Sequence, residues 1–349
     1  MKHSMRTKSV FAITASVIAV SLSLGTAANA SDSDQRTSLT NNSLFKGVAL
    51  DGVNLLHRKE GPGARLVAMT IASEMASLSL PSGPDQGLRY INEQGMFGMV
   101  DTGTGAYLKV YGDGTRVRYS DSSETRPDDG VEVEDRIPDK RLYELGRKFI
   151  NDELVDVIDI TSDDEVVDYK TMFQLDSEFS EKEATKQRVT QNTAVFSRRV
   201  RGTDVVGAGS KIAIMFANDG SIEGFFYDWP EYEQLEDVQS GLSPELARER
   251  ASQMSSLRVG AQEVELKRFE CGLMDEGMSD DIPNRLLQLA CDVQYVGWTE
   301  NSDGSRTPHA RADIIPIADT FIRSGGWTAG LKVPDQKCID SDLGKALPH

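Results

Sequence analysis

The fold is decided by residues 195–230, which read VFSRRVRGTDVVGAGSKIAIMFANDGSIEGFFYDWP. Apolar side chains alternate over Ile212–Phe216, which is the pattern of a strand with one buried face. The turn formers Asn, Asp and Gly follow at 218–220 and are typical of a β-hairpin. The return strand over 222–228 is rich in aromatic residues, which favour strands. The stretch therefore predicts antiparallel strands joined by short turns.

Helix and strand signals on both sides complete the expected fold. Apolar residues at helical spacing or capping residues predict helices over 64–80, 140–154 and 243–257. Alternating patterns predict a β-meander over 96–119 and further strands over 155–160, 166–175, 264–271 and 289–296. The sequence thus predicts an α+β protein with antiparallel sheets, each backed by a helix, as one unit or two repeated units.

The central stretch resembles the PepSY and thermolysin-propeptide group of exported domains. The matching residues are Arg201-Gly202, Val205-Val206-Gly207, Gly209-Ser210-Lys211-Ile212, Asp219-Gly220 and Trp229. The resemblance covers about residues 138–229, and a fainter second unit spans 243–316. The glycines are expected to permit turns with positive φ, so the motif is specific for a fold and carries little information about chemistry.

What the resemblance implies is the binding of a partner protein. Members of the group bind or restrain peptidases, or occur in sensor and envelope-assembly proteins. The sequence departs from the propeptide case because it contains no H-E-x-x-H motif. The chain is therefore not expected to be a self-processed metalloprotease precursor.

Five segments are predicted along the chain. They are a signal peptide over 1–30, a disordered mature N-terminus over 31–44, a helix and β-meander segment over 45–135, a PepSY-like unit over 136–240 and a second α+β unit with a C-terminal tail over 241–349. Since the boundaries rest on composition and pattern alone, the number of domains is left open at this point.

The first thirty residues have the three parts of a secretory signal peptide. Basic residues precede an apolar stretch over 10–24, and small residues at Ala28 and Ala30 form a cleavage site. The apolar stretch is short for a helix that must span about 30 Å of hydrocarbon. The sequence therefore predicts an exported protein, periplasmic or secreted, cleaved after Ala30 and without a stable membrane anchor.

The acidic charge of the chain restricts its partners. It has 55 Asp and Glu residues against 38 Lys and Arg residues, for a formal charge of −17. Residues 1–30 hold three basic and no acidic side chains, so cleavage changes the charge to −20. Such a surface repels phosphate, and nucleic acid is therefore not expected as a partner. Basic peptides, basic proteins or metal ions are favoured, and the oligomeric state is not predicted.

Three cysteines lie in the last quarter of the chain, at Cys271, Cys291 and Cys338. A disulfide is expected in an oxidising compartment. Cys271 and Cys291 lie in two strands that should be neighbours, so this pair is preferred. Cys338 lies in a polar tail, where it stays free or pairs with either of the other two.

The binding residues nominated from the sequence are Arg199, Arg201 and Trp229. The two arginines belong to the densest basic spot of an acidic chain, and strand alternation places them on one face. They either pair with acids on a solvated face or form a recognition edge for carboxylates. Trp229 ends a strand, where it either packs in the core or lines a groove for a peptide.

No catalytic residue, metal ligand or cofactor is predicted. The predicted mature chain has His57, His309 and His349, and no G-x-S-x-G motif nominates a serine partner for them. Acidic runs such as 163–165 lack the spacing of a calcium-binding loop and are interpreted as solvated turns.

The function favoured by the sequence is that of an exported, non-catalytic binding module. It would hold a peptide or a partner protein, such as a peptidase, by a sheet edge or a groove. Two alternatives stay open, namely an exported hydrolase with an unrecognised active site and a structural envelope protein without a defined ligand.

Overall fold

The structure, a computed structural model, describes residues 52–75, 78, 88–90, 96–101, 105–121, 130–180, 183–259, 264–277, 285–325, 328, 331–333 and 336–341. The predicted signal peptide, the predicted disordered segment over 31–44 and His349 lie outside these residues. Within them, no helix has both the length and the apolar character needed to cross a bilayer.

Strands dominate the described chain. They are β1 (Val53–Arg58), β2 (Leu88–Tyr90), β3 (Phe97–Val100), β4 (Tyr107–Tyr111), β5 (Arg116–Ser120), β6 (Asp164–Ser180), β7 (Glu183–Val200), β8 (Thr203–Val206), β9 (Lys211–Phe216), β10 (Ile222–Asp228), β11 (Tyr232–Gln239), β12 (Val264–Met274), β13 (Leu286–Leu287), β14 (Leu289–Glu300), β15 (Arg306–Pro316), β16 (Thr320–Arg323) and β17 (Lys337–Asp340). The helices are α1 (Ala64–Glu74), α2 (Asp139–Phe149) and α3 (Pro244–Val259), with a 3-10 turn at Val133–Asp135 and a π-helical turn at Ile150–Leu154.

Twelve of the described strands form one large sheet, so the predicted α+β fold with small helix-backed sheets is wrong. Eleven strands follow the order β15-β14-β12-β8-β7-β9-β10-β5-β4-β3-β2. In this order β8 and β9 pair with different parts of one edge of β7, and β6 pairs with the other edge. Neighbouring strands are antiparallel except β8 and β12, which run parallel. Strands occupy 52% of the described residues and helices 19%, which is a mostly β composition.

The sequence did not show which strands pair when they lie far apart along the chain. The hairpin formed by β9 and β10 is confirmed, with the turn at 218–220. However, β10 pairs on its other edge with β5, and β8 pairs with β12. These contacts join all three predicted segments after residue 45 into one sheet. The residues predicted as a strand over 155–160 follow the π-helical turn and form no strand.

The two largest apolar cores of the described chain lie against this sheet. The first is formed by α1 and α2 with β4, β5, β7, β9 and β10, and it includes Phe196, Ile214 and Phe225. The second is formed by α3 with β12 and β14, and it includes Ala251 and Val293.

Asp139 lies in the first turn of α2, and Arg147 and Lys148 lie in its last turn. These charges stabilise the helix through its dipole.

A separate three-stranded sheet has β1 at its centre, between β11 and β13. Two buried glutamines connect this region to β16. The Gln288 amide donates to the Ile322 carbonyl at 2.7 Å and accepts from the Ile322 N–H at 3.0 Å. Gln239 donates to the Thr320 carbonyl at 2.8 Å and accepts from the Leu289 N–H at 3.1 Å. The side-chain amides therefore replace backbone ladder bonds that the strands lack.

Cys271 and Cys291 face each other across β12 and β14, and their sulfur atoms are bonded. Both residues are buried in the second core. Cys338 is a free cysteine on β17, half-buried against the same core. The disulfide therefore joins two strands at the centre of the second half of the sheet.

Candidate functional site

A buried ionic cluster lies where β1 meets the ends of β10 and β12. At its centre is Arg58, the last residue of β1, with 1% of its surface exposed. Its Nη1 donates to the Asp275 carboxylate at 3.2 Å, and its Nη2 donates to the Thr115 hydroxyl at 2.8 Å. Nη2 also forms a short ion pair with Asp228. One guanidinium thus bridges two carboxylates, one at the end of β10 and one directly after β12.

Asp275 has a full set of hydrogen-bond donors. It accepts from the hydroxyls of Tyr232 at 2.5 Å and Ser210 at 3.2 Å, and from the Gly277 N–H at 2.9 Å. Burial raises the pKa of Asp275, but Arg58 and these donors outweigh it and hold the pKa below its ordinary value. Asp275 is therefore the charged partner of Arg58.

Asp228 is the second carboxylate, and its surroundings shift its pKa in the other direction. Burial raises its pKa, Arg58 opposes that rise, and the nearby charge of Asp275 adds to it, so the pKa stays above its ordinary value. The Oδ2 atom of Asp228 lies 3.9 Å from Nε of Arg116. The pKa values of two acids that share one guanidinium are therefore shifted in opposite directions.

Gly209 is required by this cluster. The prediction that it serves a turn of positive φ is wrong, because positive φ occurs at Gly202, Gly207 and Ser210 and not at Gly209. A Cβ atom on Gly209 would lie 2.4 Å from both carboxylate oxygens of Asp275. The glycine is present because the Asp275 side chain occupies the space of a side chain at 209.

The central groups of this cluster are shielded from solvent. Ser210, whose hydroxyl lies 3.2 Å from the Asp275 carboxylate, is fully buried in the folded protein. A nucleophile must touch its substrate, and this hydroxyl is bonded to Tyr232 and Asp275 instead. The arrangement pins β1 to the ends of β10 and β12.

Trp229 belongs to a buried aromatic stack. The guanidinium of Arg198 lies 4.8 Å from its ring centroid and 4.5 Å from that of Tyr232. Arg198 also forms a two-pronged ion pair with Asp164 at 2.6 and 2.7 Å. Trp229 is 5% exposed and packs in the first core. The structure therefore places this nominated binding residue under the surface.

Arg199 and Arg201 lie at the end of β7 and are partly exposed. Arg199 bonds to Glu165 at 2.8 Å and to Asp204 at 2.7 Å, and Arg201 bonds to Asp163 at 2.8 Å. The two arginines are thus brought together beside the start of β6, and each has an acid as its partner. Trp229 does not join them at the surface.

Lys211 is a buried amine that the sequence did not single out for chemistry. Its Nζ donates to the carbonyls of Val205 at 3.1 Å and Gly209 at 3.3 Å. Burial lowers its pKa to about 8, against the pull of the acids Asp275, Glu270 and Asp292.

We expect Lys211 to make stability depend on pH. Between pH 8 and 10.5 the unfolded chain keeps a proton on Lys211 that the folded chain has released, so raising the pH through this window stabilises the fold. The free energy of unfolding, measured by urea denaturation, should therefore rise for the wild type relative to Lys211→Met across that window. Lys267→Met, at an exposed position, is the matched control. Its free energy of unfolding relative to the wild type should not change across the window. If the difference in free energy of unfolding between the wild type and Lys211→Met is also independent of pH, Lys211 keeps its ordinary pKa.

The two described histidines lie apart. His57 is on β1, where burial lowers its pKa, Arg285 adds to that effect and Glu233 opposes it. His309 is on β15, with its Nε2 atom 2.8 Å from the Thr299 hydroxyl. Among the described residues, no group of three or more His, Cys, Asp or Glu side chains is arranged to hold a metal ion.

The outer edge of β6 is an open sheet edge, since no described strand pairs with it. The direction in which its backbone N–H and C=O groups point can be derived from the pairing with β7. Val189 exchanges backbone hydrogen bonds with Val131 on one side and opposes Leu175 on the other. Leu175 is therefore in a non-hydrogen-bonded pair and directs its N–H and C=O away from β7. By alternation, Phe173 and Thr171 do the same.

This edge also carries exposed apolar side chains. Met172 is 44% exposed, and Phe173 and Leu175 are 40% exposed. The guanidinium of Arg136 lies 5.2 Å from the Phe173 ring centroid on one face of the strand. We call the outer edge of residues 170–176 the β6 edge. It combines unpaired backbone groups with apolar contact area.

The strand β15, at one end of the strand order, is protected against strand addition. β15 contains Pro308 and Pro316, which have no N–H to donate, and charged residues at 306, 311 and 313. Prolines and charges are the usual means of blocking an edge strand. β6 contains no proline over its 17 residues. Of these two edges, β6 is the one that can accept another strand.

No family model matches the chain, and no curated protein matches it. Among solved structures, the chain is similar to an uncharacterized protein from Eubacterium rectale, with a TM-score of 0.48 and 11% sequence identity. The similarity covers 78% of this chain and 85% of that chain. Likeness at this level carries no argument about function, which must be inferred from the residues themselves.

Proposed function

We propose that the protein is an exported, non-catalytic binding module that takes an extended segment of a partner protein as an extra strand on the β6 edge. The observation that carries this proposal is the outward direction of the N–H and C=O groups of Thr171, Phe173 and Leu175. Strand addition uses such groups for affinity and the alternating side chains for specificity.

The side chains of the β6 edge support the same function. An apolar segment can contact Phe173 and Leu175 on one face and Met172 on the other, because successive side chains alternate. Arg199 and Arg201 lie beside the start of the strand and extend the contact surface for carboxylates of the partner. Trp229 is buried and acts through the packing of Arg198.

The decisive experiment changes one outward N–H. Thr171→Pro removes this donor and places a ring where the added strand would lie, while the bonds between β6 and β7 remain. We expect capture of partner proteins from envelope and culture fractions by the immobilised protein to fall at least about tenfold. Thr171→Val is the matched control, since it keeps the N–H and loses the same hydroxyl contact with Asp139.

Cross-linking locates the contact. A photoreactive phenylalanine analogue at 173 should label the captured protein, and the same analogue at Ala312 of β15 should not. Equal capture by the wild type and Thr171→Pro would exclude the β6 edge. Failure of the wild type to capture any protein would favour the structural alternative.

A further inference from the structure

The β6 edge is complementary to itself. Residues 170–176 are regular in β6, since the irregularity near Leu175 lies in β7, where Val189 and Gln191 oppose consecutive residues of β6. Two antiparallel copies can therefore meet with Phe173 opposite Phe173. Thr171 of each copy then opposes Leu175 of the other. All three residues direct their backbone groups outward, so the three pairs can each exchange two hydrogen bonds.

Charge complementarity supports this register. With Phe173 on the two-fold axis, Lys170 of each copy lies opposite Asp176 of the other, and both residues share one face of the strand. These pairs occupy non-hydrogen-bonded positions, where side chains are closest. Opposite charges across strands stabilise pairing, and like charges oppose it.

We infer that the partner bound by the β6 edge is a second copy of this chain, paired antiparallel through β6 with Phe173 on the two-fold axis. This inference rests on the proposed function, because it names the occupant of the same edge. The symmetry is that of an isologous dimer, in which the same surface meets itself. Two acidic chains repel at long range, but at about 0.15 M salt charges are screened beyond about 8 Å.

The test is charge exchange between two variants, measured by sedimentation velocity at about 0.15 M salt. Lys170→Glu alone places two acids opposite each other, and Asp176→Lys alone places two amines opposite each other. Each variant is expected to raise the dissociation constant of the dimer about tenfold. Mixed together, the two variants should form a heterodimer with wild-type affinity, because both charge pairs are then opposite in sign.

The remaining outcomes separate this inference from the proposed function. A wild type that stays monomeric at high micromolar concentration, or variants that fail to recombine, would overturn the dimer. If Thr171→Pro still abolishes capture of a different protein in that case, the β6 edge keeps its binding role. If Thr171→Pro changes neither dimerisation nor capture, both proposals fail. Circular dichroism of each variant shows that the comparison concerns folded proteins.

Discussion

Arg58→Met is expected to lower the free energy of unfolding by about 3–5 kcal/mol. Arg58 is buried, and its guanidinium bridges Asp228 and Asp275 while also donating to Thr115. Methionine fills similar volume but leaves two buried carboxylates without their cation. The loss exceeds that of a surface ion pair because water cannot solvate the abandoned charges. Urea denaturation followed by circular dichroism measures it.

Two controls make this prediction specific. Arg141→Met breaks the exposed ion pair with Glu144 and should change stability by less than about 1 kcal/mol. The triple variant with Asp228→Asn and Asp275→Asn should recover part of the loss, since it removes the charges that were left alone. A stability change of Arg58→Met as small as that of Arg141→Met would show that the cluster does not hold β1 in place.

Removing the disulfide is expected to have the next largest effect. The bond between Cys271 and Cys291 closes a loop with a sequence separation of 20. The chain-entropy model assigns about 3 kcal/mol to a loop of that size. Cys271→Ala/Cys291→Ala should therefore lower the free energy of unfolding by about 3 kcal/mol. Both cysteines are buried, so a reductant should act on the wild type only as it unfolds.

Peptide mapping without reductant should find Cys271 joined to Cys291 and a free thiol at Cys338. Cys338→Ala is the control, and its half-buried side chain should cost less than about 1 kcal/mol. A peptide that links Cys338 to either of the other cysteines would contradict the structure. Equal stability of the oxidised wild type and the double variant would contradict the expected contribution of the bond.

Local structure could be predicted well from the sequence because it depends on neighbouring residues. The hairpin at 218–220, the helix that begins at Pro244 and the strands around Cys271 and Cys291 all follow from turn formers, capping residues and alternation. Sheet order could not be predicted in the same way. The pairing of β8 with β12 involves only Val205 and Val206, and two apolar residues do not specify a distant partner.

The candidate site was harder to predict for a related reason. Arg58 ends the apolar strand VNLLHR, where a final arginine is ordinarily a solvated residue. Asp228 and Asp275 lie 47 residues apart in sequence, and only the fold brings both to Arg58. Trp229 offered two interpretations, and the core position prevailed. The open edge of β6 could not be predicted from local sequence patterns, because it depends on which other strands pair elsewhere.

The central position of β1 in its three-stranded sheet determines when during synthesis this part of the protein can fold. Leu56 pairs with Gln234 and Leu287, so the earliest described strand must wait for residues made about 180 and 230 positions later. Contacts of such long separation close slowly. A nascent chain therefore lacks the ion pair between Arg58 and Asp275 until residue 275 has been made. Under the export that we propose, this delay would keep the polypeptide unfolded for transport.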